Sequence, residues 1–188
     1  MKTKMLAVSI LGFLTYSASA YSHSQVSSVM ANGSACPMND PKLSIKGNVI
    51  SIETDDVLSN LRGGARFDRK NCQITLDIVP HSGWYYELEQ VKLEGLVELS
   101  KGAKGQARLA VYHQGAVNDQ SATIAFEGGT KETFTLKNKG MIKSSCDDAR
   151  ALNINTSTRI LSGKSKVGRG VLVLKGKLKL RLNWKRCD

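Results

Sequence analysis

Glu87, Glu89, Glu94 and Glu98 fall in one stretch of the chain, and Asp55 and Asp56 stand together in another. Two carboxylates at a suitable separation can hydrolyse a glycosidic bond, one serving as acid and the other as base or nucleophile. The same glutamates on the wet face of a strand are also ordinary surface charge, able to pair with lysines across strands for about a few tenths of a kcal/mol each. Other catalytic patterns are missing. No serine sits in a G-x-S-x-G elbow. The histidines His23, His81 and His113 lack both the i, i+4 helical spacing and the H-x-H strand spacing that put two imidazoles on one metal. No catalytic residue, metal site or cofactor is assigned.

Cations make the stronger pattern. The chain carries 27 Lys and Arg against 16 Asp and Glu, a formal net charge of +11. The excess is concentrated near the end: Lys164 to Arg186 contains no acid at all. Within it Lys175, Lys177, Lys179, Arg181 and Lys185 alternate with apolar residues, so they share one strand face at a spacing of roughly 6.5–7 Å. Such a row can track an anionic polymer or a cell-envelope surface. It can equally be a solvated face that maintains solubility. Few aromatics interleave with it, so specific nucleic-acid reading is not expected. Trp84, Tyr85 and Tyr86 follow the turn at Pro80–Gly83, and alternation assigns Trp84 and Tyr86 to the core and Tyr85 to the surface.

The elements that must position these residues are strands. Ile45, Val49, Ile50 and Ile52 mark a first apolar segment. Residues 55–62 suggest a short helical turn capped by Asp55, ended by Gly63-Gly64. Ile74, Leu76 and Ile78 alternate up to Pro80. From Trp84 to Leu99 the apolar face changes phase near Gln90, which is what a β-bulge does. Strands follow at 107–113, 121–127 and 130–137, with Gly128-Gly129 expected to close a hairpin between the last two. Another is expected at 151–161. Leu172, Leu174, Gly176, Leu178, Leu180, Leu182 and Trp184 then define one long half-buried strand. About nine short strands without helical periodicity predict an all-β, antiparallel β-sandwich, with a barrel as the rival and at most one short helix.

Residues 1–20 read as a signal peptide: Lys2 and Lys4, an apolar run from Met5 to Leu14, and an Ala18-Ser19-Ala20 cleavage site. No stretch is long and apolar enough to span a bilayer as a helix. The expectation is export to the periplasm or the extracellular space. Residues 21–34 are serine-rich and expected to be loosely held, with a single β domain over 35–188. Four cysteines, Cys36, Cys72, Cys146 and Cys187, allow three pairings. Sequential pairing, Cys36–Cys72 and Cys146–Cys187, is preferred. A four-cysteine zinc site competes, but it lacks any C-x-x-C spacing and export disfavours it. Asn32-Gly33-Ser34 and Asn155-Thr156-Ser157 are N-glycosylation sequons.

The cysteine contexts form an ordered set: Ser34-Ala35-Cys36-Pro37, then Arg69-Lys70-Asn71-Cys72, then Cys146 leading to Asn153-Ile154-Asn155-Thr156 and Arg159, and finally Trp184-Lys185-Arg186-Cys187. From Gly33 to Cys187 the chain resembles the family of small secreted proteins known as domain of unknown function 4360. Its pattern commonly has Gly where Ala35 stands here. The resemblance implies a secreted, disulfide-bonded, mostly β domain and supplies no activity. Arg69, Asn71, Asn153 and Asn155 suggest side chains that hydrogen-bond loop backbones.

Taken together, the residues favour a secreted, disulfide-stapled, non-enzymatic β-sandwich protein of unknown role, with Lys175, Lys177, Lys179, Arg181 and Lys185 as its candidate contact to an anionic surface or polymer. A polysaccharide hydrolase using paired carboxylates and an effector or inhibitor acting on a protein partner are the alternatives. An exposed apolar patch would favour the last.

Overall fold

The computed structural model describes residues 24–37, 40–116, 120–138, 140–163 and 168–188. The expected signal peptide, with His23, Lys164 and Lys166, lies outside them. The described residues contain strands and no helix: β1 (Ser24–Asn32), β2 (Lys42–Lys46), β3 (Val49–Glu53), β4 (Val57–Leu61), β5 (Phe67–Pro80), β6 (Trp84–Leu99), β7 (Ala103–His113), β8 (Gln120–Phe126), β9 (Lys131–Lys137), β10 (Ile142–Lys143), β11 (Leu152–Ser162), β12 (Gly170–Leu174) and β13 (Lys177–Arg186). They form two antiparallel sheets. A five-stranded sheet runs β1-β5-β11-β7-β8, and an eight-stranded sheet runs β2-β3-β13-β6-β12-β4 with β9 and β10 also on β6. The architecture is a sandwich rather than a barrel.

Alternation builds the core. Ile74, Leu76, Leu109, Val111, Ile154 and Ile160 point inward from one sheet. Ile50, Ile52, Leu88, Leu93, Val97, Leu172, Leu174, Leu178 and Leu180 point inward from the other. Burial of each such side chain stabilises the fold by roughly 1.5–3 kcal/mol before entropy is counted. The phase change in β6 is a bulge: Arg181 pairs with Gln90 and Leu182 with Leu88, leaving Glu89 as the extra residue. The Val91 N–H beside it donates to Asn138 Oδ1 at 2.7 Å, so the bulge leaves no orphaned donor there.

Four sequence expectations are corrected. Residues 57–61 form β4, not a helical turn. Val57, Ser59 and Leu61 alternate inward, and the period is disguised because Ser59 is polar. Its hydroxyl lies 2.9 Å from Thr158 Oγ1 on the opposite sheet, which satisfies it in the core. Gly128-Gly129 does not close a hairpin. It carries the chain from β8 in one sheet to β9 in the other, folded against the β6–β7 turn. A Cβ on Gly128 would lie 2.7 Å from the Ser100 carbonyl oxygen, and the Gly129 N–H donates to Leu99 O at 2.9 Å. Residues 24–32 are not loosely held, because they pair with β5 as an edge strand. The serines that suggested looseness bind Asp77: Ser28 through its carboxylate and Ser27 through its carbonyl. The long terminal strand is broken at Lys175-Gly176 into β12 and β13.

That break fixes the geometry of the cationic residues. β9 pairs with Lys92 and Gly95 on one side of β6, so β13 at Lys92 and β12 at Gly95 share the other side, end to end. The joint is fastened to the β3–β4 link. Thr54 N–H donates to Gly176 O at 2.8 Å, and Gly176 N–H donates to Asp56 Oδ1 at 2.8 Å. A Cβ at Gly176 would overlap the Thr54 carbonyl oxygen and sit 2.6 Å from that of Asp55. Both obstacles are backbone. Gly176→Ala is expected to lose about 1–3 kcal/mol of stability; an unchanged melting temperature would contradict this packing.

His113 gives the fold a pH dependence. Its Nδ1 lies 3.3 Å from Arg150 O, its Nε2 is buried without a partner among the described residues, and its ring packs on Tyr86 with centroids 5.8 Å apart. Burial holds the imidazole below its ordinary pKa; the bond to the Arg150 carbonyl opposes this and the Arg150 guanidinium adds to it. The unfolded chain therefore takes a proton near pH 6.5 that the folded chain refuses. This stability is fully present above about pH 6.5 and declines as pH falls toward the lowered folded value. Urea midpoints at neutral and mildly acidic pH should differ less in His113→Gln than in the parent; an identical difference would contradict the assignment.

Candidate functional site

The outward face of the eight-stranded sheet collects the predicted cations and adds others. On β13, Leu178, Leu180 and Leu182 are buried while Lys177, Lys179, Arg181 and Lys185 are exposed. Register then sets their neighbours. Lys177 opposes Glu53, which opposes Lys42. Lys179 opposes Lys92 on β6, and Lys92 opposes Lys137 on β9. Arg181 is flanked by Gln90 and by Val49, whose partner is Lys46. Lys185 opposes Tyr85.

The five predicted cations are not equivalent. Lys175 binds Asp56 at 2.9 Å and Lys177 binds Glu53 at 3.2 Å. Burial raises the Asp56 pKa, but the Lys175 ammonium and the Gly176 N–H outweigh it and hold the carboxyl below its ordinary value. Lys179, Arg181 and Lys185 have no acidic partner among the described residues. The face therefore divides into a neutralised end around Lys175 and Lys177 and a cationic end around Lys179. At the latter, Lys46, Lys92, Lys137, Lys179 and Arg181 stand against two carboxylates, Glu94, which is 3.1 Å from Lys92, and Glu89, which is exposed at the bulge. Like charges directly opposed across strands are destabilising, by amounts similar to what opposite charges gain.

The glutamates do not converge. Glu87 is nearly buried and binds Lys143 at 3.1 Å, an interaction that holds the Lys143 pKa above its ordinary value. Glu94 binds Lys92, and Glu98 binds Lys131 at 3.2 Å. Each lies in a different cross-strand row of one open sheet, and Glu94 and Glu98 line separate hollows. Tyr86 is buried, with its ring edge-on to Trp184 at 5.7 Å; Trp84 is half-buried beneath the Arg186 guanidinium at 5.4 Å. Among the described residues the exposed large apolar side chains are scattered; Leu58 and Leu96 flank a common partner, Val173.

The cysteines pair sequentially. Cys36–Cys72 (Cα–Cα 5.4 Å) is in the core, Cys146–Cys187 (6.1 Å) is near the surface, and no free cysteine remains. Asn71 does bind a loop: its side chain and its N–H engage Ser34, and its carbonyl accepts from Ala35 N–H. Asn153 does not. It projects from the five-stranded sheet and bonds Gln73 and Thr75.

Sequence reasoning missed Lys46, Lys92 and Lys137. The outward direction of Lys92 was readable from alternation along β6, but its placement between Lys179 and Lys137 depends on register among three strands far apart in the chain.

Geometry and covalent links together define a disulfide-pinned, two-sheet β protein with a cationic outer face. The chain belongs to the family described as Domain of unknown function (DUF4360), whose model matches residues 22–187. A protein of Arthroderma benhamiae named "Uncharacterized secreted protein" is 24% identical over 152 residues, 77% of this chain; the chain spans 62% of that relative's length. Similar solved structures include TmCBM61 in complex with beta-1,4-galactotriose (15% identity, TM-score 0.40, 84% of this chain and 90% of that one). A CBM4 structure is also similar (9% identity, TM-score 0.29, 76% and 78%).

Proposed function

We propose that this protein is an exported, non-enzymatic binding protein that holds an anionic polymer or envelope surface against the outer face of its eight-stranded sheet. The observation that carries this is the row Lys179–Lys92–Lys137, with Arg181 and Lys46 in the next row. Three ammonium groups abreast repel one another, and an anionic polymer lying across them would relieve that repulsion. Rows repeat every two residues along a strand, roughly 6.5–7 Å. Export is supported by the signal-like segment 1–20 and by two disulfides, which persist in oxidising compartments.

The division of the face supplies the test. Lys92→Ser/Lys137→Ser/Lys179→Ser should elute from a sulfated-polysaccharide column at clearly lower salt than the parent. Lys175→Ser/Lys177→Ser, which removes cations already bound to Asp56 and Glu53, should elute close to the parent. Equal shifts in the two variants would contradict the assignment of binding to the Lys179–Lys92–Lys137 row, in which Lys92 alone has a carboxylate partner among the described residues.

A further inference from the structure

The outward face of the five-stranded sheet carries a different chemistry. Register places Thr75, Asn153 and Tyr112 side by side across β5, β11 and β7. Gln73, Asn155 and Ala110 form the adjacent outward row. Neither row contains a charged side chain. The centre is recessed: Asn153 is 6% and Ala110 4% exposed, although both project away from the core that their neighbours Ile154 and Val111 fill. A hollow of about 550 Å³ opens at the β1 side, where Met30, Asn32 and the carboxylate of Asp40 stand beside Gln73 and Thr75.

The amides are held in one arrangement. Asn153 Oδ1 accepts from Gln73 Nε2 at 3.2 Å and from Thr75 Oγ1 at 2.9 Å. With its oxygen occupied from two sides, the Asn153 carboxamide presents its NH2. Gln73 keeps its carbonyl oxygen as an acceptor, Thr75 keeps hydroxyl lone pairs, and Asn155 offers a donor and an acceptor together. The two rows are thus uncharged, fixed around Asn153, and rich in both hydrogen-bond roles, and Asp40 at the edge of the hollow adds an acceptor that would repel an anion. An anion would find no countercharge in these two rows, and an apolar partner would strand nearly buried amides at about 1–3 kcal/mol each. A sugar hydroxyl is donor and acceptor at once, and a chain of sugars repeats such groups along its length.

We propose that this face binds a neutral polysaccharide, with its rings laid over the Asn153 and Asn155 rows. This site is separate from the cationic face on the opposite sheet, and salt distinguishes the two. Asn155 begins a sequon, so the full chain is made in a host without N-glycosylation, with its disulfides formed.

The protein is mixed with insoluble glucan, mannan and chitin in about 1 M salt, where the Debye length is about 3 Å and the lysine rows are screened. At least one of the three should retain it. Gln73→Ala/Asn155→Ala should weaken retention about tenfold or more, as expected for the loss of two or more hydrogen bonds. Ala110→Arg leaves the Asn153 hydrogen bonds in place and fills the recess, so it should weaken retention while the protein remains folded, at a urea midpoint lowered by the overpacking. Lys92→Ser/Lys137→Ser/Lys179→Ser should be retained like the parent. Absence of retention on all three solids, retention abolished by salt, or retention unchanged in both face variants would overturn the proposal.

Discussion

Replacing Cys36 and Cys72 together by alanine should lower the unfolding free energy by about 4–5 kcal/mol, more than the same change at Cys146 and Cys187. Loop length does not separate the two bonds. Their sequence separations are 36 and 41, and the chain-entropy model gives each about 4 kcal/mol. Burial separates them. Cys36 and Cys72 are 0% and 1% exposed and belong to the core cluster, so alanine there also forfeits packing worth about 1 kcal/mol. Cys146 is exposed, and the strand leading to Cys187 is already paired along β3 and β6. Cys72 also lies in the middle of β5, where its carbonyl accepts from Thr156 Oγ1 at 3.1 Å. Urea unfolding of both double variants measures the order. Equal losses, or a larger loss at Cys146–Cys187, would contradict this account of what pins the sandwich.

The second large effect is on binding. A cation near an anionic surface contributes about 1 kcal/mol. Removing Lys92, Lys137 and Lys179 should therefore weaken affinity for a sulfated polysaccharide by roughly a hundredfold at low salt. Stability should hold or rise slightly, because the three ammonium groups oppose one another in register. A purely solvated face would show the stability change without the loss of binding. The two readouts therefore separate a binding surface from surface charge that only maintains solubility.

Much of the sandwich was legible because strand burial has a strict period of two. The leucines at 172–182 gave the correct inward face on both sides of the β12–β13 break. The phase change in Trp84–Leu99 located the bulge, since one extra residue swaps the faces of everything beyond it. What stayed hidden was non-local or disguised. Ser59 reads as polar and so conceals β4, yet Thr158 satisfies it across the core. Gly128-Gly129 has hairpin composition, and only the packing against Ser100 and Leu99 turns it into a crossing between sheets. The serine-rich start of the chain reads as loose until Asp77 is placed beside it.

The candidate site followed the same rule. Alternation selected Lys175, Lys177, Lys179, Arg181 and Lys185 as co-facial; the last four are exposed on β13, while Lys175 stands in the joint between β12 and β13. Alternation could not show that Asp56 and Glu53 neutralise two of them, because those acids lie more than a hundred residues earlier. Nor could it place Lys92 and Lys137 beside Lys179. The family contexts flagged Asn153 and Asn155 as neighbours of a cysteine, whereas register makes them the centre of the other sheet's outer face.

Binding to an anionic polymer through the lysine row is tested most directly by the salt dependence of affinity. The logarithm of the binding constant for a sulfated polysaccharide, plotted against the logarithm of salt concentration, has a slope set by the number of cations engaged. Lys92→Ser/Lys137→Ser/Lys179→Ser should reduce that slope by about three relative to the parent. Parallel lines for the two proteins would contradict the assignment of the site.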